Sequence, residues 1–286
     1  MLITEFYKLY KSYGLSIEMI QQFQEIIHSF YSQYGRDFPF RKNITPYYVL
    51  VSEIMLQQTQ TSRVSEKFLK FIEKFPDFST LSIASLDEVL KTWQGLGYNR
   101  RALALKKIAN IVITDHKGKL PHSIEVLKSF PQIGHNTASS IITFAFNKPT
   151  IFIETNIRRV FIYFFFPGKR NITDKQITPI VEKTLDRFKP REWYYALMDY
   201  GVMLKKSNPD LNKRSAKYRK QAPFKGSKRQ VRGDILKMLI SSKILKVSEI
   251  EKALKGINKE KLIPILLQLE KEEFIKIKSD TVQIVK

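Results

Sequence analysis

The stretch Ser52-Glu53-Ile54-Met55-Leu56-Gln57-Gln58-Thr59-Gln60-Thr61 decides how the rest of this 286-residue chain is read. It sets an acid four positions ahead of two adjacent amides, within a segment otherwise bound for an interior. Tyr48, Val49, Leu50, Val51, Ile54, Met55 and Leu56 predict an apolar helix. A carboxylate buried in such a helix costs several kcal/mol unless it is paired, hydrogen-bonded or protonated. A desolvated carboxyl is suited to general-acid work near neutral pH, which makes Glu53 a catalytic candidate. Gln57 and Gln58 carry donors and acceptors that suit base edges or an unstacked duplex. The alternative is a helix with one snorkelling Glu and two surface amides, and this stretch alone leaves both open.

Composition narrows the partners. An apolar share of 43% supports a real core. Against 27 acidic residues stand 49 basic ones, a formal charge of +22, which favours a polyanion whose counterions are released on binding. No apolar run is long enough to span a membrane, and MLITEFYKLYKSYG does not form a signal peptide. The chain has no cysteine, so disulfides, zinc thiolate sites and cysteine-ligated iron–sulfur clusters are excluded. His28, His116, His122 and His135 are scattered without ligand spacing, so no metal site is expected.

Helical spacing of Ile20, Phe23, Ile26, Ile27 and Phe30 predicts helix over residues 1–36, broken at Tyr34-Gly35. Several short amphipathic helices are expected over 46–150, separated by Phe75-Pro76, Gly95, Gly97, Gly118, Pro121, Pro131 and Gly134. Two more are expected, around Val181–Phe188 and Trp193–Leu204. From Lys205 to Arg232 the chain holds eleven Lys or Arg and a single acid, Asp210, and reads as a basic surface segment leading into a linker. A different pattern follows over 233–286. One helix is expected from Asp234, a second opened by a Ser248–Glu251 capping box and running to Lys255, and a third capped by Asn258. Alternating strands at 274–278 and 281–285 complete a winged-helix-like order. That order is used for both DNA and protein contacts.

The motifs together resemble the MutY-type adenine DNA glycosylases of the helix-hairpin-helix, endonuclease III-like superfamily. SEIMLQQTQT resembles the family's first signature. Phe38-Pro-Phe-Arg41 is similar to its PWR element, and Trp93-Gln-Gly-Leu-Gly-Tyr98 to its WxGLGY turn. Phe130-Pro-Gln-Ile-Gly134 with Asn136-Thr-Ala138 resembles the hairpin, and Ile153-Glu-Thr-Asn-Ile157 the catalytic segment. The resemblance spans roughly residues 20–204. It implies a mainly α glycosylase core over 1–204. One module covers about 46–150, and 1–45 with 151–204 form the other, ahead of the small α+β domain. Most relatives hold a four-cysteine cluster just after the core, where this chain reads KKSNPDLNKRSAKYRKQ, which implies a clusterless branch needing no cofactor.

The resemblance also implies roles. Base removal needs a proton for the leaving base and a carboxylate for an oxocarbenium-like sugar, on a nucleotide rotated out of the stack. The acid maps to Glu53 and the carboxylate to Glu154, where relatives carry Asp. The extra methylene moves the charge on the order of 1.5 Å unless the rotamer differs. The other possibility for Glu154 is a helix-end charge or a pair with Arg158 or Arg159. Asn156 matches the family's Asn beside that carboxylate. Asn136 stands at the Schiff-base lysine of lyases, and no lysine lies between Phe130 and Ser140, so no lyase activity is expected. Gln57 and Tyr98 match wedge positions; Gln58, Gln132, Gly134, Asn136 and Thr137 are further DNA-binding candidates. Gln132 replaces the family's Gly. Lys213, Arg214, Arg219 and Lys220 are expected on phosphates, and Phe40, Arg41 and Asp199 near the base pocket.

The expected activity is monofunctional removal of adenine opposite 8-oxoguanine or guanine in double-stranded DNA, by a monomer. In a prokaryote it would be cytoplasmic and nucleoid-associated. Alternatives are a thymine or uracil mismatch glycosylase and a catalytically weak DNA-binding protein on the same fold. The last 55 or so residues are too short for the Nudix-like domain of typical MutY proteins.

Overall fold

The computed structural model describes residues 3–220, 223–254 and 256–285. The helix expected over 1–36 forms as two, α1 (Ile3–Tyr13) and α2 (Ile17–Tyr34). Gly14 turns the chain at φ +65° between them, and the Ser16 hydroxyl accepts from Met19 N–H to cap α2. There follow α3 (Pro39–Lys42), α4 (Pro46–Leu56), α5 (Thr61–Lys74), α6 (Phe78–Ile83), α7 (Leu86–Trp93) and α8 (Arg100–His116). Then come α9 (Ile124–Ser129), α10 (His135–Phe146), α11 (Thr155–Phe165), α12 (Asp174–Thr184) and α13 (Pro190–Ser207). The helix expected around 181–188 thus begins earlier and ends at Thr184. Thr173 N–H donates to the Gln176 side chain at 2.9 Å and fixes that earlier start.

The C-terminal stretch runs α14 (Lys228–Ser242), β1 (Ile244–Lys246), α15 (Val247–Ala253), α16 (Lys259–Lys271), β2 (Ile275–Lys278) and β3 (Thr281–Ile284). The strands form one antiparallel sheet in the order β1-β3-β2, with Leu245 and Ile277 both opposite Val282. The expected hairpin therefore carries a third strand. The cap of α15 also differs from expectation, because Lys246 N–H, not Ser248, meets an acid, the Glu249 carboxylate at 2.7 Å. That helix ends at Ala253, and Lys255 lies outside the described residues.

The chain divides into two compact units. The first comprises Met1–Val49, His122–Ser129 and Ile133–Lys220. Its core is aromatic: Phe23 meets Phe161, Phe164, Phe165 and Trp193 edge-on at 5.0–5.6 Å. Each such ring buried contributes about 1.5–3 kcal/mol, with edge-to-face geometry adding to it. The second comprises Leu50–Pro121, Phe130–Gln132 and Gln221–Lys286, so the C-terminal helices and sheet pack with α5–α8. Val64, Phe68 and Phe71 form the buried stripe of α5. Ion pairs join the C-terminal part to the other helices of this unit: Glu272 with Arg100 and Lys243 with Asp87, both at 2.6 Å, while Glu272 also holds Arg232 of α14 at 2.5 Å. Lys107 pairs with Glu273.

The expected basic linker proves more ordered than its composition suggests. Lys205 and Lys206 finish α13, residues Leu211–Arg214 make a 3-10 turn, and Lys228 opens α14. The Ile172 N–H donates to Arg214 O and Ala216 N–H donates to Ile172 O, both at 2.9 Å, binding the middle of the stretch to the first unit. Among the described residues no helix is long and apolar enough to cross a membrane.

Candidate active site

In the second unit, Glu53 lies on α4 among Leu50, Val51, Ile54 and Met55, all essentially sealed from solvent. Glu53 itself is half-buried, not interior as the apolar flanks predict. The helix stops at Leu56, one residue before the amides, so Gln57 and Gln58 belong to a turn, not to the helix. Gln58 there adopts φ +55°.

What ends α4 and fixes that turn is Arg101, which is only 3% exposed. Its Nη1 donates to the carbonyls of Ile54 at 3.0 Å, Met55 at 2.8 Å and Gln57 at 2.5 Å. Its Nη2 reaches the Thr59 hydroxyl at 2.9 Å and the carbonyls of Leu96 and Gly97 at 3.0 Å. Carbonyls in the last turn of a helix have no partner within it, and the guanidinium supplies one. The same group lies 5.3 Å from the Trp93 ring centroid and 5.5 Å from that of Tyr98. Burial pushes the Arg101 guanidinium down to about 10, still protonated at neutral pH. Arg101 was not among the site residues expected from sequence. The available signal was its place on the α8 stripe shared by Leu105, Ile108 and Val112, where a charge must have a local purpose.

Tyr98 follows Gly95 and Gly97 in a turn and itself adopts φ +47°. Gln57 Nε2 donates to Gln132 O at 3.2 Å, which joins the first signature to the hairpin residue of the same unit. Gln132 sits at φ +62°, the left-handed region that explains the family's Gly at this position. Gly134 begins α10 with ordinary φ, and a Cβ there would meet nothing within the protein. Neither conformation nor internal packing demands that glycine.

In the first unit, Glu154 is the N-cap of α11. Its Oε1 accepts from Asn156 N–H at 2.7 Å and Ile157 N–H at 2.8 Å, while Oε2 accepts a longer 3.3 Å bond from Asn156 Nδ2. Burial pushes this carboxyl up, opposed by those two backbone donors and by Arg158 and Arg159. Arg158 makes its bidentate pair with Asp174, at 2.7 and 3.0 Å. Arg159 Nη1 holds Asn156 Oδ1 at 2.7 Å and Gly201 O at 2.5 Å. Of the readings open for Glu154, the helix-end charge describes its local geometry, and nothing in that geometry conflicts with a second, chemical use. Asn136 Nδ2 donates to Ile153 O at 2.9 Å, tying the start of α10 to the residue before Glu154. Thr137 is half-buried in the same first turn.

Gly201 makes this corner possible. A Cβ on it would lie 2.4 Å from Asn156 O and 2.7 Å from Asn156 Cβ. The Gly201→Ala variant gains up to about 1 kcal/mol of helix propensity. The clash is with backbone, which cannot rotate away, so overpacking of about 1–3 kcal/mol outweighs that gain. We expect a lower thermal midpoint and displacement of Glu154, read as slower single-turnover chemistry at saturating protein.

Phe40, Arg41 and Asp199 do come together, in a closed brace. Asp199, 2% exposed, accepts from both Nη atoms of Arg41 at 3.0 Å and from Arg36 N, Nε and Nη2 at 2.7–2.9 Å. Arg41 lies 4.2 Å from the Tyr195 centroid, and Phe40 stacks on Phe38. The phosphate candidates separate likewise. Arg219 and Lys220 are exposed, and Lys213 pairs with Asp210 at 2.9 Å. Arg214 instead donates to the carbonyls of Lys169 and Phe166, so its work is to hold the turn.

Residues 51–191 match the family described as HhH-GPD superfamily base excision DNA repair protein. Over that stretch, just under half of its length, the chain is similar to this superfamily. An adenine DNA glycosylase of Buchnera aphidicola subsp. Baizongia pistaciae is 37% identical over 196 residues, covering 66% of this chain and 55% of that protein. A thymine/uracil-DNA glycosylase of Methanothermobacter thermautotrophicus is 28% identical over 185 residues, covering 64% and 84%. The solved structure of a thermostable thymine-DNA glycosylase superposes with a TM-score of 0.57 at 27% identity, covering 64% of this chain and 86% of that one. The chain spans about half the length of the adenine glycosylases it matches.

Proposed function

We propose that this chain is a monofunctional DNA glycosylase that hydrolyses the N-glycosidic bond of adenine mispaired with 8-oxoguanine or guanine, without an iron–sulfur cluster. The observation that carries the reading is the Glu154 carboxylate fixed at the head of α11, with Asn136 instead of a lysine on the adjoining carbonyl. Glu53 supplies the proton that the departing base requires. Glu154 stabilises the positive charge that develops on the sugar, and water completes the hydrolysis at the anomeric carbon. With no amine in the hairpin, no Schiff base forms and the product is an abasic site. Because burial raises the Glu154 carboxyl, the step that needs its anion weakens as pH falls, from a higher pH than an exposed carboxylate would set. The zero cysteine count supports a reaction that needs no cluster.

A thymine or uracil mismatch glycosylase is the second reading. It is favoured by one observation: the chain spans 84% of the thymine/uracil relative but 55% of the adenine relative. A duplex panel decides between them, carrying A opposite 8-oxoguanine, A opposite G, T or U opposite G, and a matched control. We expect release from the two adenine mispairs, strand cleavage only after alkali, and no borohydride-trapped adduct. Release confined to T or U selects the second reading. Binding without release on any duplex selects an inactive DNA-binding protein.

A further inference from the structure

Resting on the glycosylase reading, we infer that the opening turn of α14 extends the duplex-binding face, with Arg229 bracing the Tyr98 wedge from the C-terminal helices. Arg229 Nη1 donates to Tyr98 Oη at 2.7 Å, and its guanidinium carbon lies 5.6 Å from the ring centroid. Arg101 lies 5.5 Å from the same centroid, so two cations hold one half-buried aromatic whose backbone is already in the left-handed region. Contacts then run without a gap through this unit. Gln132 O accepts from Gln57, Gln57 O and Gly97 O accept from Arg101, and Tyr98 joins Arg229.

The C-terminal part is held where this requires. Glu272 at the end of α16 binds Arg100, two residues beyond Tyr98, and also Arg232, one turn beyond Arg229 on α14. The burial of Glu272 is more than offset by these two guanidinium groups, which hold its carboxyl below the ordinary range. Lys225 and Lys228 are exposed beside Arg229, and α14 carries a single acid, Asp234. The first turn of α14 therefore presents cations next to the aromatic that the glycosylase reading sets against the bases, the combination that suits the phosphates flanking an opened base pair. An Arg is fitted to the double task because its planar fork both stacks on a ring and bonds a hydroxyl or phosphate.

The test uses the full chain and a duplex bearing the mispair from which the wild type releases its base, with 2-aminopurine beside that base. Affinity is measured across salt concentrations, and 2-aminopurine fluorescence reports unstacking. Arg229→Ala should lower the log–log salt slope by about one and remove most of the unstacking signal. Arg229→Lys should keep the slope and lose part of the signal. Lys259→Ala, an exposed cation at the start of α16, should change neither. Wild-type slope and signal in Arg229→Ala overturn the inference and leave glycosylase activity standing. A lowered slope with intact unstacking makes Arg229 a phosphate contact alone and overturns the brace. Should Arg229→Ala fail to fold, Tyr98→Phe removes only the hydroxyl that Arg229 holds, and an undiminished signal there overturns the brace too. A wild type that releases no base overturns both readings together.

Discussion

Glu53→Gln is expected to abolish base release while leaving affinity for the mispaired duplex within a few-fold. The two side chains have nearly the same shape, so the substitution removes the transferable proton and keeps the volume. General-acid catalysis by a positioned side chain contributes on the order of 10²–10⁴-fold, and single-turnover release should fall by at least that much. The setting favours a clean result. Leu50, Val51, Ile54 and Met55 hold α4 in the core irrespective of residue 53, so the thermal midpoint should stay close to that of the wild type. Near-normal release by this variant would sink the assignment of Glu53 as the acid.

Arg101→Met is the second large effect, and it acts through structure. Methionine fills much of the volume but donates nothing. The Ile54, Met55, Gln57, Leu96 and Gly97 carbonyls and the Thr59 hydroxyl all lose a donor at once. Losing a buried network of this kind costs about 3 kcal/mol or more. For a chain of this size that lowers the thermal midpoint by roughly 5 °C or more. Base release should drop even at temperatures where the variant is folded, because the turn after Glu53 and the turn before Tyr98 are no longer fixed to each other. Arg101→Lys should recover little, since a single ammonium cannot span two loops. An unaltered melting curve for Arg101→Met would show that the carbonyls find other donors.

Much of this was legible in the sequence, for identifiable reasons. Helix spans followed the 3.6-residue stripes, as with Phe23 and Ile27 on α2, because burial of one face leaves a periodic trace. Gln132 in place of Gly was visible as a departure, and its positive φ shows the backbone constraint behind the family's choice. The Glu154 segment was placed in register, though its role as a helix cap was only one of the possibilities. Partnerships between distant residues left no local trace. The resemblance set Arg41 and Asp199 in one region, but nothing signalled that Arg36, 163 positions before Asp199, would close on that carboxylate as well. Strand β1 was missed because three residues, Ile244-Leu245-Lys246, are too few to alternate and are defined only by pairing with β3. The contact of Arg229 with Tyr98 spans 131 residues and could come only from packing.

The cap at Glu154 makes two amide protons into reporters of what its carboxylate is doing. Those of Asn156 and Ile157 are shielded only while Oε1 stays at the head of α11. An N-cap is worth about 1 kcal/mol, so any ligand that draws the carboxylate away leaves the first helical turn free to fray. Engagement through Oε2, whose internal partner is the longer bond, would leave the turn closed. Hydrogen–deuterium exchange at these two positions, with and without an abasic-site duplex, thus distinguishes a carboxylate that swings to its substrate from one that acts from a fixed mount.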